Sequence, residues 1–301
     1  MSLEDIVINR TGVDLKTLSK GNPLTNQVQQ RLVDLNFLDP PVDGDFGPVS
    51  KLSLQQFART VGLEVDLMLE PAVAQALIES DIDALLPVAP KADFAGRIFR
   101  YMRRKNYWFA RLPKYLNIVY VEGANRNGTL NDDRPNVFND RRIVLAVEDG
   151  VPVEKGNWQA TTEPGRSFTI HPMNALGAAR IAFGQYKSWR VGIHNASKPS
   201  RHEALVQVGN IRVHRDLNKD FKRTGDSVFE GSNFGVNQHR GFNSPEDNIG
   251  AASAGCLVGR LNDEHRDFMA LVKTDPRFKA SQGYKYLTTI IAGDDLLREV
   301  G

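Results

Sequence analysis

The only cysteine of this 301-residue sequence, Cys256, follows a run of small residues that ends at Gly255. His239 lies upstream, with sixteen residues between it and the cysteine. A nucleophilic thiol needs a base that takes its proton, backbone N–H groups that bind the oxyanion, and room for a substrate. Because glycine permits close backbone approach, the amides of Gly255 and Cys256 can face one anion. The spacing predicts cysteine-based acyl transfer, in which a loop returns His239 to the sulfur and lowers the thiol pKa.

The cysteine has a second interpretation as an ordinary core residue. Leu257 and Val258 follow it directly and are typical of a buried strand. A free cysteine often packs as a small hydrophobic side chain. Under this interpretation the sulfur is sealed in apolar packing, and His239 lies too far away to act as its base.

The same segment resembles the catalytic motif of bacterial L,D-transpeptidases, the YkuD-like family. In that family a histidine is followed, after a loop, by Ser/Thr-His-Gly-Cys. His239, Ser253, Gly255 and Cys256 fall on that pattern, whereas Ala254 stands where the family has its second histidine. The resemblance implies a thiolate that attacks a peptidoglycan stem peptide, with His239 as its base, and Ala254 indicates a divergent branch.

Further candidate site residues are two arginines and one histidine. Arg240 and Arg260 flank the motif, and a guanidinium suits a substrate carboxylate as well as a structural salt bridge. His194 lies in Val-Gly-Ile-His-Asn, where Gly192 suits a close backbone approach. The alternative for His194 is a structural histidine. We expect the two arginines and His194 to contact substrate.

The sequence predicts neither a metal site nor a nucleotide site. His202, His214 and His265 are scattered and lack the ligand spacing of a zinc site. The run from Asp216 to Asp220 alternates acids and amides but lacks the glycine and the final acid of a calcium loop. No glycine-rich phosphate loop follows a predicted strand. We therefore expect chemistry without a cofactor.

Length and composition set broad limits. A chain of 301 residues has room for two domains, and 41% hydrophobic with 25% charged residues is typical of a soluble globular protein. The net charge of +2 gives no case for nucleic-acid binding. A single cysteine excludes an intrachain disulfide, so the redox compartment stays open. No run approaches the roughly 18 apolar residues of a membrane span, and the start of the chain is acidic where a signal peptide is basic.

Residues 21–80 have the pattern of three helices separated by turns. Val28, Leu32 and Leu35 share one face of the first helix, which Thr25 or Asn26 can cap. A turn and a second helix follow, and the third helix starts near a proline suited to a first helical turn. The sequence therefore predicts a small helical unit.

This helical unit resembles the peptidoglycan-binding module of many cell-wall enzymes. The resemblance rests on the order of its apolar residues and on the Asp-Gly-x-Phe-Gly turn at residues 43–47. It implies a peptidoglycan-binding domain at residues 21–80, after an N-terminal tail at residues 1–20. A Pro/Ala-rich stretch at residues 81–96 then predicts a linker.

Residues 97–301 are predicted to form the catalytic domain. A basic amphipathic helix at its start is expected to pack its apolar side on the domain, and contact with an anionic polymer is the alternative. Branched and aromatic runs from Asn117 onward predict strands, including one at residues 168–170 after the Glu-Pro-Gly turn, which resembles a hairpin of the same transpeptidases. We predict an α+β protein, with a three-helix bundle followed by a β-sandwich and peripheral helices.

These features together predict a peptidoglycan-binding cell-wall enzyme that acts in the periplasm or outside the cell, by an export route that the sequence leaves open. Its partner is peptidoglycan, through glycan and stem peptides, and neither nucleic acid nor stable membrane insertion is expected. An incoming amine would give transpeptidation, and water would give carboxypeptidase or endopeptidase activity. One alternative is a lytic peptidoglycan hydrolase that serves as a phage or secreted antibacterial effector. The other is a non-catalytic wall-binding structural protein, which Ala254 favours.

Overall fold

The computed structural model describes every residue from Met1 to Gly301. Ten α-helices and thirteen strands are segregated along the chain, with helices first and most strands after residue 116. This segregation confirms the predicted α+β class. No helix combines the length and the apolar character that crossing a bilayer requires.

Four helices build the N-terminal unit, and three of them begin with proline at the first helical position. Asn22, rather than Thr25 or Asn26, caps the second helix by accepting the amide hydrogen of Leu24. Phe37 and Phe57 meet edge to face at the centre, with ring centroids 5.4 Å apart. The bounds of the helices are α1 Leu3–Asn9, α2 Pro23–Asp34, α3 Pro48–Thr60 and α4 Pro71–Glu79.

The first twenty residues belong to this unit and are not the predicted tail. Leu3 and Ile6 of α1 are buried in the same core as the apolar face of α2. Strand β1, Val13–Asp14, pairs antiparallel with β2, Met68–Leu69. Burial of two large side chains therefore brings in a segment whose sequence is mostly polar.

Residues 81–96 are also tied to the rest of the molecule. They contain a short helix, α5 Ile82–Leu85, and Asp83 forms an ion pair of 2.6 Å with Arg111. Helix α6, Phe94–Arg104, begins three residues before the predicted boundary, with Asp93 as its cap. Its apolar side packs on β-strands, in a cluster that includes Ile98 and Val119, so the basic helix covers the sheet as expected.

Eight strands form one sheet that closes on itself, in the order β11-β12-β5-β4-β3-β13-β7-β8. The prediction of a β-sandwich does not describe this arrangement, because every edge of the main sheet is paired. The bounds of these strands are β3 Asn117–Glu122, β4 Asp140–Glu148, β5 Val151–Thr161, β7 Gly184–His194, β8 His202–Gln207, β11 Gln238–Arg240, β12 Leu257–Gly259 and β13 Tyr286–Ala292.

A separate three-stranded sheet joins β6 Ala178–Ile181, β9 Ile211–Asp216 and β10 Ser227–Gly231 in the order β10-β9-β6. The predicted strand at residues 168–170 is wrong, because residues Arg166–Ile170 form the short helix α7 directly after Gly165. The remaining helices are α8 Asn262–Val272, α9 Pro276–Ala280 and α10 Gly293–Val300.

Candidate functional site

The predicted nucleophile and base lie on neighbouring parallel strands. His239 of β11 is opposite Val258 of β12, and the amide of Leu257 donates to the carbonyl of Asn237 at 2.9 Å. Cys256 immediately precedes β12, two residues before Val258. Because side chains alternate along a strand, this register places Cys256, Val258 and His239 on the same face of the sheet. The pairing of β11 with β12 thus sets two residues that are seventeen positions apart in sequence on adjacent strands of one face.

The sulfur of Cys256 has two polar neighbours, and neither is an imidazole. The thiol donates to the carbonyl of Gly235, and the amide of Asn237 donates to the sulfur, each at 3.4 Å. The side chain packs with Phe138 and Ile249 and is only 8% exposed. Burial raises the pKa of the thiol to about 11. The expected thiolate–imidazolium pair with a lowered thiol pKa is therefore absent from this conformation.

Ser253 and Gly255 shape the turn that presents the cysteine. The Ser253 hydroxyl accepts the amide hydrogen of Gly255 at 3.1 Å and donates to the carbonyl of Cys256 at 2.9 Å. Gly255 has φ +124°, and a Cβ there would lie 2.4 Å from the carbonyl oxygen of Ala179. Ser253 is thus a positioning residue. Because its hydroxyl already occupies the Gly255 amide, the predicted two-amide oxyanion site is not formed as expected.

His239 is held as a neutral base with one free ring nitrogen. Its Nδ1 lies 2.8 Å from the carbonyl oxygen of Arg240, so Nδ1 carries the hydrogen and donates it. This leaves the lone pair on Nε2. The residue is 2% exposed, and burial, with a smaller contribution from His194, holds the imidazole pKa well below its usual range. A neutral imidazole with an available Nε2 is the form that can accept a proton.

His194 joins this site, as its sequence position indicated. Its ring stacks on His239 with the centroids 4.0 Å apart, and its Nδ1 accepts from the side-chain amide of Asn237 at 2.9 Å. The orientation of that amide is fixed because its oxygen accepts the Gln207 amide hydrogen at 2.9 Å. Burial, and then His202, lower the pKa of His194 to about 4. Asn237 therefore connects the sulfur to the histidine pair.

Two histidines that the sequence placed apart complete a cluster of four. The β7–β8 pairing sets His194 opposite His202, and His202 lies 5.7 Å from both His239 and His265, measured between ring centroids. His202 and His265 use both ring nitrogens in hydrogen bonds, to main-chain groups and to the Arg142 guanidinium. Four neutral imidazoles therefore share one region, which we name the histidine cluster. The hairpin alternation of β7 and β8 is the signal that could have predicted it.

The two arginines that flank the motif lie in different surroundings. The guanidinium of Arg240 stacks over Phe242 at 5.2 Å from the ring centroid, and its buried Nε has no hydrogen-bond partner. Arg260 follows β12, at the end opposite to Cys256, where it donates to Gln159 and to the carbonyl of Ser244. Arg240 thus adjoins the histidine cluster, whereas the structure does not place Arg260 at the sulfur.

A second cluster of buried charged residues was not predicted from the sequence. Arg223 donates twice to Glu122, at 2.5 and 2.6 Å, and Arg180 pairs with Glu163. Asp216 is a further carboxylate, 3.4 Å from Arg180, so three acids share two guanidiniums. Burial, and then the charge of Glu122, raise the pKa of Glu163 to about 7.

Asp140 belongs to the same group and is held as a neutral acid. Its carboxyl lies 3.0 Å from the Thr162 hydroxyl, which also hydrogen-bonds to Glu122. A hydroxyl has a single proton, so donation to Glu122 requires the proton between Asp140 and Thr162 to come from Asp140. Burial and the nearby Glu122 charge raise the pKa of Asp140 well above its usual range, in agreement with this chain of donors. The only feature of the sequence that indicates this buried group is an acid at the end of an apolar strand run, such as Glu122.

Comparison with known proteins gives no family assignment. No protein-family model matches this chain, and no curated protein matches it. Among solved structures it is similar to a fused Zn-dependent amidase/peptidase/peptidoglycan-binding domain-containing protein from Clostridium acetobutylicum, at 12% identity over 93% of this chain and 99% of that chain. The TM-score of 0.25 is too low for that likeness to define a fold or a function.

Proposed function

We propose that this protein is a cysteine-dependent acyl-transfer enzyme that acts on peptidoglycan stem peptides, as an L,D-transpeptidase or a related peptidase. The observation that carries the proposal is the register of β11 and β12, which places Cys256 and His239 on one face. The free Nε2 of His239 and its stacking on His194 support it. The motif resemblance supplies the substrate class.

In the proposed reaction, Nε2 of His239 takes the proton of the Cys256 thiol as the sulfur attacks the amide carbonyl carbon of the substrate. The tetrahedral oxyanion then collapses, the C–N bond breaks, and the imidazolium gives its proton to the leaving amine. A thioester remains on Cys256. An incoming amine or a water molecule attacks the thioester carbonyl carbon, and His239 takes the proton of that nucleophile. The C–S bond then breaks, and the imidazolium gives its proton to the sulfur, which restores the thiol.

Burial of the thiol determines at which step of the proposed reaction the proton transfer occurs. In the free protein the thiol is neutral, because burial raises its pKa to about 11. A neutral thiol beside a neutral imidazole carries no net charge, so the site has no buried ion pair to stabilise at rest. Proton transfer is then coupled to substrate binding, when the developing oxyanion offsets the imidazolium charge. Rotation of the thiol away from the Gly235 carbonyl accompanies this step.

The helical unit is proposed to bind the glycan or the stem peptides of the same polymer. Its support is the Asp-Gly-x-Phe-Gly turn, whose Gly44 amide donates to the buried Gln29 side chain at 2.8 Å. Gln29 in turn donates to Asp43 and to Ser50. These bonds give the motif a role in holding the turn, so we assign peptidoglycan binding to the unit and not to individual residues. The proposed place of action is the bacterial cell wall.

A second candidate function is a wall-binding protein without catalysis. The specific observation that favours it is the set of contacts around Cys256: apolar packing, a thiol bonded to a main-chain carbonyl, and a raised thiol pKa. These are the properties of a core cysteine. The missing family histidine at Ala254 points in the same direction.

Incubation with purified muropeptides, followed by mass spectrometry, tests these functions. We expect the wild type to convert stem peptides and Cys256→Ala to lose at least about 1,000-fold in rate while keeping its fold, because no other thiol is present. Loss is also expected in His239→Ala. His214→Ala, which removes a histidine of the three-stranded sheet, is the matched control and should keep the rate.

The products distinguish the alternatives. Cross-linked dimers or amine exchange indicate transpeptidation, and shortened stems indicate a peptidase or a lytic hydrolase. Full activity in Cys256→Ala would exclude the acyl-enzyme mechanism. No conversion by the folded wild type would support the wall-binding protein without catalysis.

A further inference from the structure

A polar cavity of about 300 Å³ lies beside the chain that connects β3 to β4. Its walls come from that connection, from β4 and β5, and from the loop between His239 and Cys256. Three guanidiniums line it: Arg126, Arg134 and Arg141. We name it the arginine cavity. Its volume corresponds to about ten water molecules at roughly 30 Å³ each, which is enough for a ligand of the size of a dipeptide.

Arg141 is the unusual residue of this cavity, because it is buried without a carboxylate partner. It is only 9% exposed, yet it forms no ion pair. Its Nε and Nη2 donate to the side chain and the main chain of Asn157, at 2.7 and 2.8 Å. Nη1 makes no hydrogen bond within the chain. No carboxylate lies within ion-pair distance of this buried guanidinium, so Nη1 is available to an anion that enters the cavity.

A second guanidinium without an ion-pair partner is next to it. Arg126 extends from the connection between β3 and β4. Burial lowers the pKa of Arg141 to about 10. The charges of Glu264 and Glu246 oppose this shift, and the charge of Arg126 adds to it. Two such groups are suited to a carboxylate, which accepts two hydrogen bonds from each guanidinium fork. Arg134 differs, because Asp132 neutralises it at 2.7 Å.

The lining of the cavity also includes acidic residues. Glu246 lines the cavity and takes part in no ion pair, although its main-chain carbonyl accepts the Phe138 amide hydrogen at 2.8 Å. The third acid on the wall, Asp140, is already engaged by Thr162 and by the amide of Gly123. Glu246 is therefore the group free to receive an ammonium.

From these charges we propose that the arginine cavity is a second ligand site, which binds a small amphoteric molecule with a free carboxylate and a free ammonium, such as a short peptide. Arg141 and Arg126 hold the carboxylate, and Glu246 faces the ammonium. The site does not depend on thiol chemistry. The buried Phe138 lines the cavity and also belongs to the apolar cluster that contains Cys256, whereas Cys256 itself does not line the cavity.

Calorimetric titration of the full chain with the dipeptide D-alanyl-D-alanine tests the proposal. We expect saturable binding that weakens at least about 10-fold for the C-terminal amide and for the N-acetyl derivative, because each removes one charge-assisted contact. Arg141→Gln and Arg126→Gln should each weaken binding of the dipeptide by at least about 10-fold. Arg190→Gln, an exposed arginine of β7, is the matched control and should bind as the wild type does.

The remaining outcomes are decisive. Equal affinity for the dipeptide and its amide, or for the dipeptide and inorganic phosphate, would overturn the proposal. Unchanged binding in Arg126→Gln would do the same, and this variant keeps the test valid if Arg141→Gln fails to fold, because Arg126 is exposed. Binding retained in Cys256→Ala is expected, so a failure of the proposed enzyme function leaves this result intact.

Discussion

At the scale of single residues, the proposed chemistry starts from a Cys256 thiol and a His239 imidazole that are hydrogen-bonded to different groups. The sulfur is bonded to main-chain groups of Gly235 and Asn237, and the imidazole is bonded to the Arg240 carbonyl. The thiol and the imidazole are therefore both neutral, and each has its own main-chain hydrogen-bond partner. A resting thiolate would lack a cationic partner, and its desolvation is the physical cause of the raised thiol pKa.

Iodoacetamide alkylation checks this protonation state. With a thiol pKa of about 11, the native protein should react at pH 8 at least roughly 100-fold more slowly than the chain unfolded in urea, whose thiol pKa is near ~8.5. His239→Ala should change the native rate little, because the imidazole does not hold the thiolate. Rapid alkylation below neutral pH, abolished in His239→Ala, would instead establish the ion pair that the structure lacks.

At the scale of elements, the β7–β8 hairpin, the short strand β11 and helix α8 assemble the histidine cluster. The pairs His194↔His202 and Gln238↔Leu205 fix its geometry. Burial lowers the pKa of His194 to about 4, with His202 as a smaller cause, and that of His265 to about 3, with Arg142 as a smaller cause. In the unfolded chain a histidine titrates near ~6.5, so the unfolded state binds more protons between those values.

The cluster therefore makes folding stability dependent on pH. Its contribution is complete above about pH 6.5 and is lost as the pH falls toward 4, because protons then favour the unfolded state. Glu163, with a pKa raised to about 7, acts in the opposite direction over an overlapping range. His194→Asn should reduce the acid-side slope of the unfolding free energy by roughly 1 kcal/mol per pH unit.

Urea unfolding at pH 5, 6 and 7 measures that slope. Glu163 is present in both the wild type and His194→Asn, so its contribution to the slope is the same in each. The exposed His171 lies outside the cluster, so His171→Asn is the control and should leave the slope unchanged. An identical slope in His194→Asn and the wild type would contradict neutral burial of His194.

At the scale of the whole molecule, the helical unit and the closed sheet share buried contacts. Asp39 of the helical unit is fully buried and contacts Lys187 at 3.1 Å, Tyr284 at 3.1 Å and Arg277 at 3.7 Å, all from the β-rich part. Trp108 donates to the carbonyl of Val33 at 3.2 Å and belongs to the core cluster of the helices. These buried contacts hold the two parts together, so residues 81–96 do not act as the flexible linker that the sequence predicted.

Docking predicts that the chain unfolds cooperatively. Far-ultraviolet circular dichroism and tryptophan fluorescence should report one coincident urea transition in the wild type. Asp39→Ala leaves Lys187 without its carboxylate partner, while Arg277 keeps Asp275, so it should lower the unfolding free energy by about 3 kcal/mol. Asp83→Ala removes an exposed acid that also pairs with arginines and should cost less than about 1 kcal/mol. Two separate transitions in the wild type would show that the parts fold independently.

The sequence by itself determined the features that depend on local patterns. Helix periodicity identified α2, α3 and α4, and branched and aromatic runs identified strands after residue 116. The small-residue turn indicated Cys256 as a site candidate. The sequence also indicated His194, because a glycine two residues earlier marks a close approach. The predictions of the elements succeed because propensity and turn chemistry act between residues that are near in sequence, and the roles of Cys256 and His194 stay predictions.

Only the tertiary structure decided which distant residues meet. Strand register brought His202 to His239, and packing of α8 brought His265 to His202. Register also gave the sulfur main-chain partners in place of an imidazole and turned the predicted sandwich into a closed sheet. Long-range burial likewise joined the first twenty residues to the helical core and collected acids and arginines around Glu122. Such contacts depend on register and on shared desolvation, and a one-residue shift of a strand would reverse every side chain in it.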